Sequence, residues 1–254
     1  MAFGPDNRFD AKQGYMTRAD AELAHVDVGL RQHMLKVYNY MASGLALTGI
    51  VAYAAGNSPA IMNLLYAKGP TGQLAPTVLA WIVMLAPIGM VFFLAARIHA
   101  LKAATAQTMF WVYSALMGLS LANIFLVFTG ASIARVFFIT AATFGAMSLY
   151  GYTTKRDLSG FGSFLMMGLI GIVIASVVNL FLQSAAMHFV VSIVGVLVFV
   201  GLTAYDTQEI KSLYLESDGT EVEGKKAIMG ALKLYLDFIN IFIMLLQLFG
   251  ARRD

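Results

Sequence analysis

Seven long apolar runs alternate with short polar or glycine- and proline-bearing segments along the chain, covering residues 37–55, 77–96, 105–128, 136–152, 161–182, 189–205 and 227–250. A helix rises about 1.5 Å per residue, so about 20 mainly apolar residues cross the hydrocarbon of a bilayer. Each run meets or approaches that length, the fourth and sixth being the shortest. The pattern predicts seven spanning helices joined by short connections between antiparallel neighbours. Ahead of them, residues 1–30 mix acids and bases without an apolar stretch of the signal-peptide kind. This predicts a polar cytoplasmic tail at 1–30 and a seven-helix transmembrane domain at 31–254.

Composition turns the pattern into a class. Hydrophobic residues make up 59% of the chain and charged residues 12%, whereas a soluble domain carries about 25% charge. That is too little charge to cover a soluble surface, while a bundle in lipid needs apolar side chains on its outside as well as in its core. The expected fold is an all-α polytopic membrane protein.

The chain has no cysteine, which removes disulfide frameworks, zinc-thiolate sites and thiol nucleophiles. His25, His33, His99 and His188 do not fall at metal-ligand spacing. A net charge of +3 does not point to nucleic acid, because the basic residues sort by loop. Arg8, Lys12, Arg18, Arg31 and Lys36 precede the first run. Arg97 with Lys102, Lys155 with Arg156, and Lys211 with Lys225 and Lys226 occupy alternate connections, against only Lys68 and Arg135 in the others. Basic residues near helix ends are retained inside, which places the amino terminus in the cytoplasm; the chain is expected in the inner (plasma) membrane. A seventh full span leaves Arg252 and Arg253 outside, against the same rule, so the last helix is expected either to span or to re-enter from the cytoplasm.

Against this background two acids stand out. Between Asp27 and Asp157 there is no acid, yet Asp206 ends the sixth run and Asp237 lies ten residues inside the seventh. A charge near the bilayer centre costs about 3 kcal/mol or more, so such a group must be neutralised or paired. The loop between these runs makes their helices natural neighbours and a carboxyl pair geometrically reasonable. Two carboxyls in contact share a proton until pH or a cation separates them. Deprotonated, they offer hard oxygen ligands to calcium, but fewer than the usual six to eight oxygens, which suits passage better than storage. Asp237, Asn240 and Gln247 share one stripe of the last helix and are the candidate pore lining. The acidic connection at Glu216, Asp218, Glu221 and Glu223 reads as a solvated loop or as a cation-attracting mouth.

Three stretches resemble a known family. Residues 148–160 read Ser-Leu-Tyr-Gly-Tyr-Thr-Thr-Lys-Arg-Asp-Leu-Ser-Gly, residues 201–208 read Gly-Leu-Thr-Ala-Tyr-Asp-Thr-Gln, and residues 234–242 read Leu-Tyr-Leu-Asp-Phe-Ile-Asn-Ile-Phe. They are similar to the Bax inhibitor 1, or transmembrane Bax inhibitor motif, family in its bacterial branch, from about Arg31 to the carboxyl end. The resemblance implies six helices around a central seventh, and a pH-sensitive calcium leak gated by an aspartate pair corresponding to Asp206 and Asp237. It also implies a modulating role in membrane proteolysis for bacterial members. Relatives use an arginine near the second helix to hold the closed pair, and Arg97 is the candidate latch.

The expected function is therefore a proton-gated calcium (cation) leak with no enzymatic activity and no cofactor, calcium being the permeant ion. The expected partners are the lipid bilayer, calcium and a membrane protease or other membrane protein, with no nucleic acid. The alternative is a non-conducting regulator of a membrane protease or stress pathway. An intramembrane aspartyl protease is the weaker rival. Tyr205-Asp206 matches the first motif of those enzymes, but Tyr235-Leu236-Asp237 stands where they carry Gly-x-Gly-Asp.

Overall fold

A computed structural model describes residues 18–68 and 74–253. The first part of the expected tail, with Arg8 and Lys12, and the final Asp254 lie outside the described residues. The elements are α1 (Arg18–Gly56), α2 (Pro59–Leu65), a small hairpin of β1 (Tyr66–Lys68) and β2 (Leu74–Pro76), α3 (Val78–Arg97), α4 (Ala103–Ser120), a 3-10 turn (Leu121–Asn123), α5 (Ile124–Val127), α6 (Gly130–Thr153), α7 (Ser159–Leu182), α8 (Ala185–Ser212) and α9 (Thr220–Phe249). Among the described residues, six segments are long and apolar enough to cross a membrane, α4 and α5 counting as one. A seventh arises if α1 and α2, bent by 89° at Gly56, count as one span.

Hydroxyl side chains start several of these helices: Thr77, Thr129 and Ser184 each accept a hydrogen bond from a backbone N–H three residues on, satisfying donors the first turn leaves free. The two runs that looked short are full-length helices, α6 with 24 residues and α8 with 28. Their threonines remain helical because the hydroxyls turn back onto their own helix. Thr140 donates to Val136 O at 2.9 Å, Thr203 to Phe199 O at 2.8 Å and Thr207 to Thr203 O at 2.7 Å, so these hydroxyls are not left bare in hydrocarbon. Two further differences are local. α1 already begins at Arg18, inside the segment expected to be tail, and residues 56–76 are not a plain loop, because Ser58 and Pro59 open α2.

α9 is the centre of the bundle. Ala227, Ala231, Leu234, Tyr235 and Ile241 are wholly enclosed, and the helix packs on α8, α1, α6 and α4. α3 rests on α4 and α7 on α8, and each faces α9 across a cleft. The outside is apolar, with Phe181 at 83%, Val78 at 77% and Phe138 at 71% exposure, as lipid contact requires.

α9 crosses the bundle completely. At its start the Ala103 N–H donates to Glu221 Oε1 at 2.6 Å and Lys225 Nζ donates to His99 O at 3.2 Å. At its other end Ala251 N–H donates to Ser132 Oγ at 2.8 Å, and Arg252 pairs with Phe128. Thirty residues span about 45 Å. The alternative in which this helix turns back is not the one the chain adopts. Arg253 is accommodated because its Nη1 donates to Phe125 O at 2.7 Å, near carbonyls that α5 leaves free at its end.

Small residues recur four apart in the spans, as at Gly44 and Thr48, Gly118 and Ala122, Ala141 and Gly145, and Gly171 and Ala175; Gly44 approaches Phe110 and Ser114, and Gly118 approaches the Thr48 carbonyl, whereas Gly145 and Gly171 approach nothing. Close approach therefore marks only some of them.

Candidate functional site

Asp206 lies in the last third of α8 and Asp237 just past the middle of α9, the two helices with the most extensive mutual packing. Their carboxyls meet in hydrogen-bond contact. Asp237 is 4% exposed and Asp206 is half-buried. Asp237 Oδ2 is buried and accepts no hydrogen bond from any N–H or hydroxyl among the described residues. An ionised carboxylate in that position is costly, whereas a carboxyl sharing a proton with its neighbour is not. Both side chains line a cavity of about 470 Å³, bounded by Tyr205 and Glu209 of α8, Lys233 and Asn240 of α9 and Met166 and Leu169 of α7.

The cation at this cavity is Lys233, which the sequence reading passed over. Its Nζ donates to Glu209 Oε2 at 2.5 Å, and it is the cation acting on both Asp206 and Asp237. It sits one helical turn before Asp237, as Glu209 sits one turn after Asp206. That i, i+4 and i, i+3 spacing was the available signal, since such residues share a helix face. It was missed because Lys233 falls inside a run counted only for its apolar length.

Arg97, the candidate latch, is not brought to the pair. It ends α3 with an exposed side chain and lines none of the cavity's wall. α3 packs on α4, and its end faces α8 and α9 across a separate cavity that Ala95, Ile98 and His99 line and Arg97 does not. Arg97→Ala is accordingly expected to leave unfolding temperature and any cation flux at wild-type values, measured side by side in detergent and in liposomes.

Asn240 and Gln247 extend the polar lining. Asn240 donates through Nδ2 to Leu236 O at 2.8 Å, and Gln247 Oε1 accepts from Ser192 Oγ at 2.9 Å. Both line a second cavity, of about 460 Å³, with Asn179, Gln183 and His188 from the α7–α8 end. Asn240 borders both cavities. A groove between α7, α8 and α9 therefore carries polar groups from Glu209 and Lys233 at one end to His188 and Gln183 at the other.

The acidic connection does not form a free mouth. Glu221 accepts from the Ala103 N–H, Asp218 pairs with Lys226 at 2.6 Å and Glu223 lies 3.4 Å from Lys36 and 3.8 Å from His33. These acids tie α9 to α1, to the start of α4 and to their own loop. Glu216 is exposed.

The distinctive stretches are the packing surfaces around this site. Ser148 Oγ lies 2.6 Å from Tyr38 Oη and 3.0 Å from Thr207 Oγ1, linking α1, α6 and α8. Gln208 bridges the α6–α7 connection, accepting from the Leu158 N–H and donating to Arg156 O, each at 2.8 Å. Tyr235 Oη lies 2.6 Å from Thr48 Oγ1. Each contact fixes the rotation of α8 or α9 about its own axis, and hence where Asp206 and Asp237 point.

The model of the family described as inhibitor of apoptosis-promoting Bax1 matches residues 30–254. Inner membrane protein YbhL of Escherichia coli (strain K12) is 51% identical over 227 residues, covering 89% of this chain and 94% of that protein. An uncharacterized protein of Rickettsia prowazekii is 49% identical over 228 residues, 90% of this chain and 93% of its own length. One from Caulobacter vibrioides is 44% identical over 248 residues, 96% and 99% of the two chains. With a match that takes in every spanning helix, the aspartate pair and the groove beside it, the chain belongs to the Bax inhibitor family and is a multi-pass inner-membrane protein.

Proposed function

We propose that this protein is a pH-sensitive calcium leak, non-enzymatic, in which Asp206 and Asp237 form the gate and Asn240 and Gln247 line the path. The observation that carries the reading is the carboxyl-to-carboxyl contact of an almost fully buried Asp237 with Asp206, set in a groove with polar groups toward both ends. While the pair holds one proton, it carries a single negative charge spread over two carboxyls and facing the Lys233 ammonium, and α8 and α9 stay together. Loss or rearrangement of that proton separates like charges, loosens the two helices and exposes oxygen ligands to a passing cation. Two carboxylates supply too few oxygens to retain calcium, so the ion binds transiently and moves on past Asn240.

The basic residues at the ends of α3, α6 and α8 and the start of α9 support a cytoplasmic face at that end, with the amino terminus on the same side. The pair then lies nearer the cytoplasmic end, and the cavity lined by His188 and Gln183 opens outward.

The test is reconstitution of the purified protein alone into liposomes holding a calcium indicator. Flux above that of protein-free liposomes, changing between about pH 5 and about pH 8, is expected. A protein that inserts correctly and carries none is a non-conducting regulator.

A further inference from the structure

We propose that Lys233 is a tethered competitor for the permeating cation: its ammonium occupies a cation site formed by Glu209 and Asp206 at the end of the groove nearest the basic loops. The inference rests on the leak reading and names the regulation of that site.

Two independent observations carry it. A cation already sits there, since the Lys233 ammonium contacts the Glu209 carboxylate at 2.5 Å with Asp206 in its electrostatic reach. In addition, Asp237 Oδ2 is buried in the wall of the same cavity and accepts no hydrogen bond from any N–H or hydroxyl among the described residues. Three carboxyl groups and one ammonium thus face about 470 Å³ of space. A lysine suits the role better than an arginine. Its charge is compact, its stem flexible and its three donors rotate freely, so it can leave one carboxylate for another without breaking a bidentate fork. With the ammonium in place a second cation meets a like charge a few ångströms away. With it swung aside, Glu209 and Asp206 present a carboxylate each, and Asp237 supplies the next oxygens one step deeper. Glu209 and Lys233 thus stand one helical turn from the gate, on α8 and α9 respectively.

A purely structural ion pair would predict only lost stability when Lys233 is changed, so the decisive readout is cation affinity. Terbium, a calcium mimic whose luminescence can be sensitised by Tyr205 in the cavity wall, is titrated into wild type, Lys233→Met, Lys233→Arg and the double variant Lys233→Met/Glu209→Gln, alongside calcium flux in liposomes. Removing a unit charge beside the site is expected to tighten terbium binding by about tenfold or more. The same change lowers the half-saturating calcium concentration for flux. Lys233→Arg, which returns a cation of similar reach, restores weak binding, and the added Glu209→Gln change reverses the gain. Lys233→Gln, close in length and still able to donate to Glu209, replaces Met if that variant does not fold. Unchanged or weaker terbium binding in a folded Lys233→Met or Lys233→Gln protein overturns the proposal. Tighter terbium binding in a protein that carries no flux in any form upholds the cation site while removing the leak reading.

Discussion

Asp237→Asn is expected to flatten the pH dependence of cation flux. A gate that takes up one proton changes its equilibrium by up to about tenfold per pH unit across its titration; the variant is expected to change by less than about twofold over the same range. Asparagine keeps the shape of the side chain and can donate an N–H to Asp206, but it cannot ionise, so the pair loses the proton equilibrium on which the switch depends. Calcium flux should fall as well, because an amide offers one oxygen where a carboxylate offers two and carries no charge. The fold should not suffer. At a position only 4% exposed, replacing an ionisable group with a neutral one removes the cost of burying charge, so the melting temperature is expected to match or exceed that of wild type. Flux in liposomes at several pH values, with a melting curve at each, checks both statements. A pH profile identical to wild type would remove the aspartate pair from the mechanism.

The second large effect is on stability. Gly151→Leu is expected to cost about 3 kcal/mol or more, and much of the protein to be lost during membrane extraction. A Cβ at Gly151 stands 2.2 Å from the Ala204 carbonyl oxygen and 2.9 Å from that residue's Cα and C. The obstruction is backbone, which no rotamer change relieves, so α6 and α8 must part. Ala204 lies two residues before Asp206, and the Ser148–Thr207 contact lies beside it. A shifted α8 therefore also carries Asp206 away from Asp237. A Cβ at Gly145 on the same helix meets nothing within 4 Å, and Gly145→Leu should melt close to wild type, separating the effect of the contact from that of adding leucine to α6. Thermal unfolding of both variants in one detergent decides the matter.

Much of this protein was legible from local pattern. Hydropathy over about 20 residues is a sum along the chain, and in lipid a spanning segment must satisfy its own backbone, so helices at these places follow from composition alone. The isolation of Asp206 and Asp237 was visible for the same reason: an acid is conspicuous where almost nothing else is charged. What pattern blurred were the ends of α6 and α8, since threonines that donate to their own helix count as polar in a tally but cost nothing in the fold.

Local pattern could not place α9 at the centre, which only the resemblance implied, or carry it to the opposite end; the tertiary structure did both, because that depends on which small residues let which backbones approach. It alone left Arg97 on the surface and brought Lys233 to Glu209. Charge partners are chosen by the rotation of packed helices about their axes, a relation between segments that no run of residues contains. The chain thus determined by itself that buried acids would exist and had to meet. Which cation would stand beside them was decided by how α8 and α9 pack together.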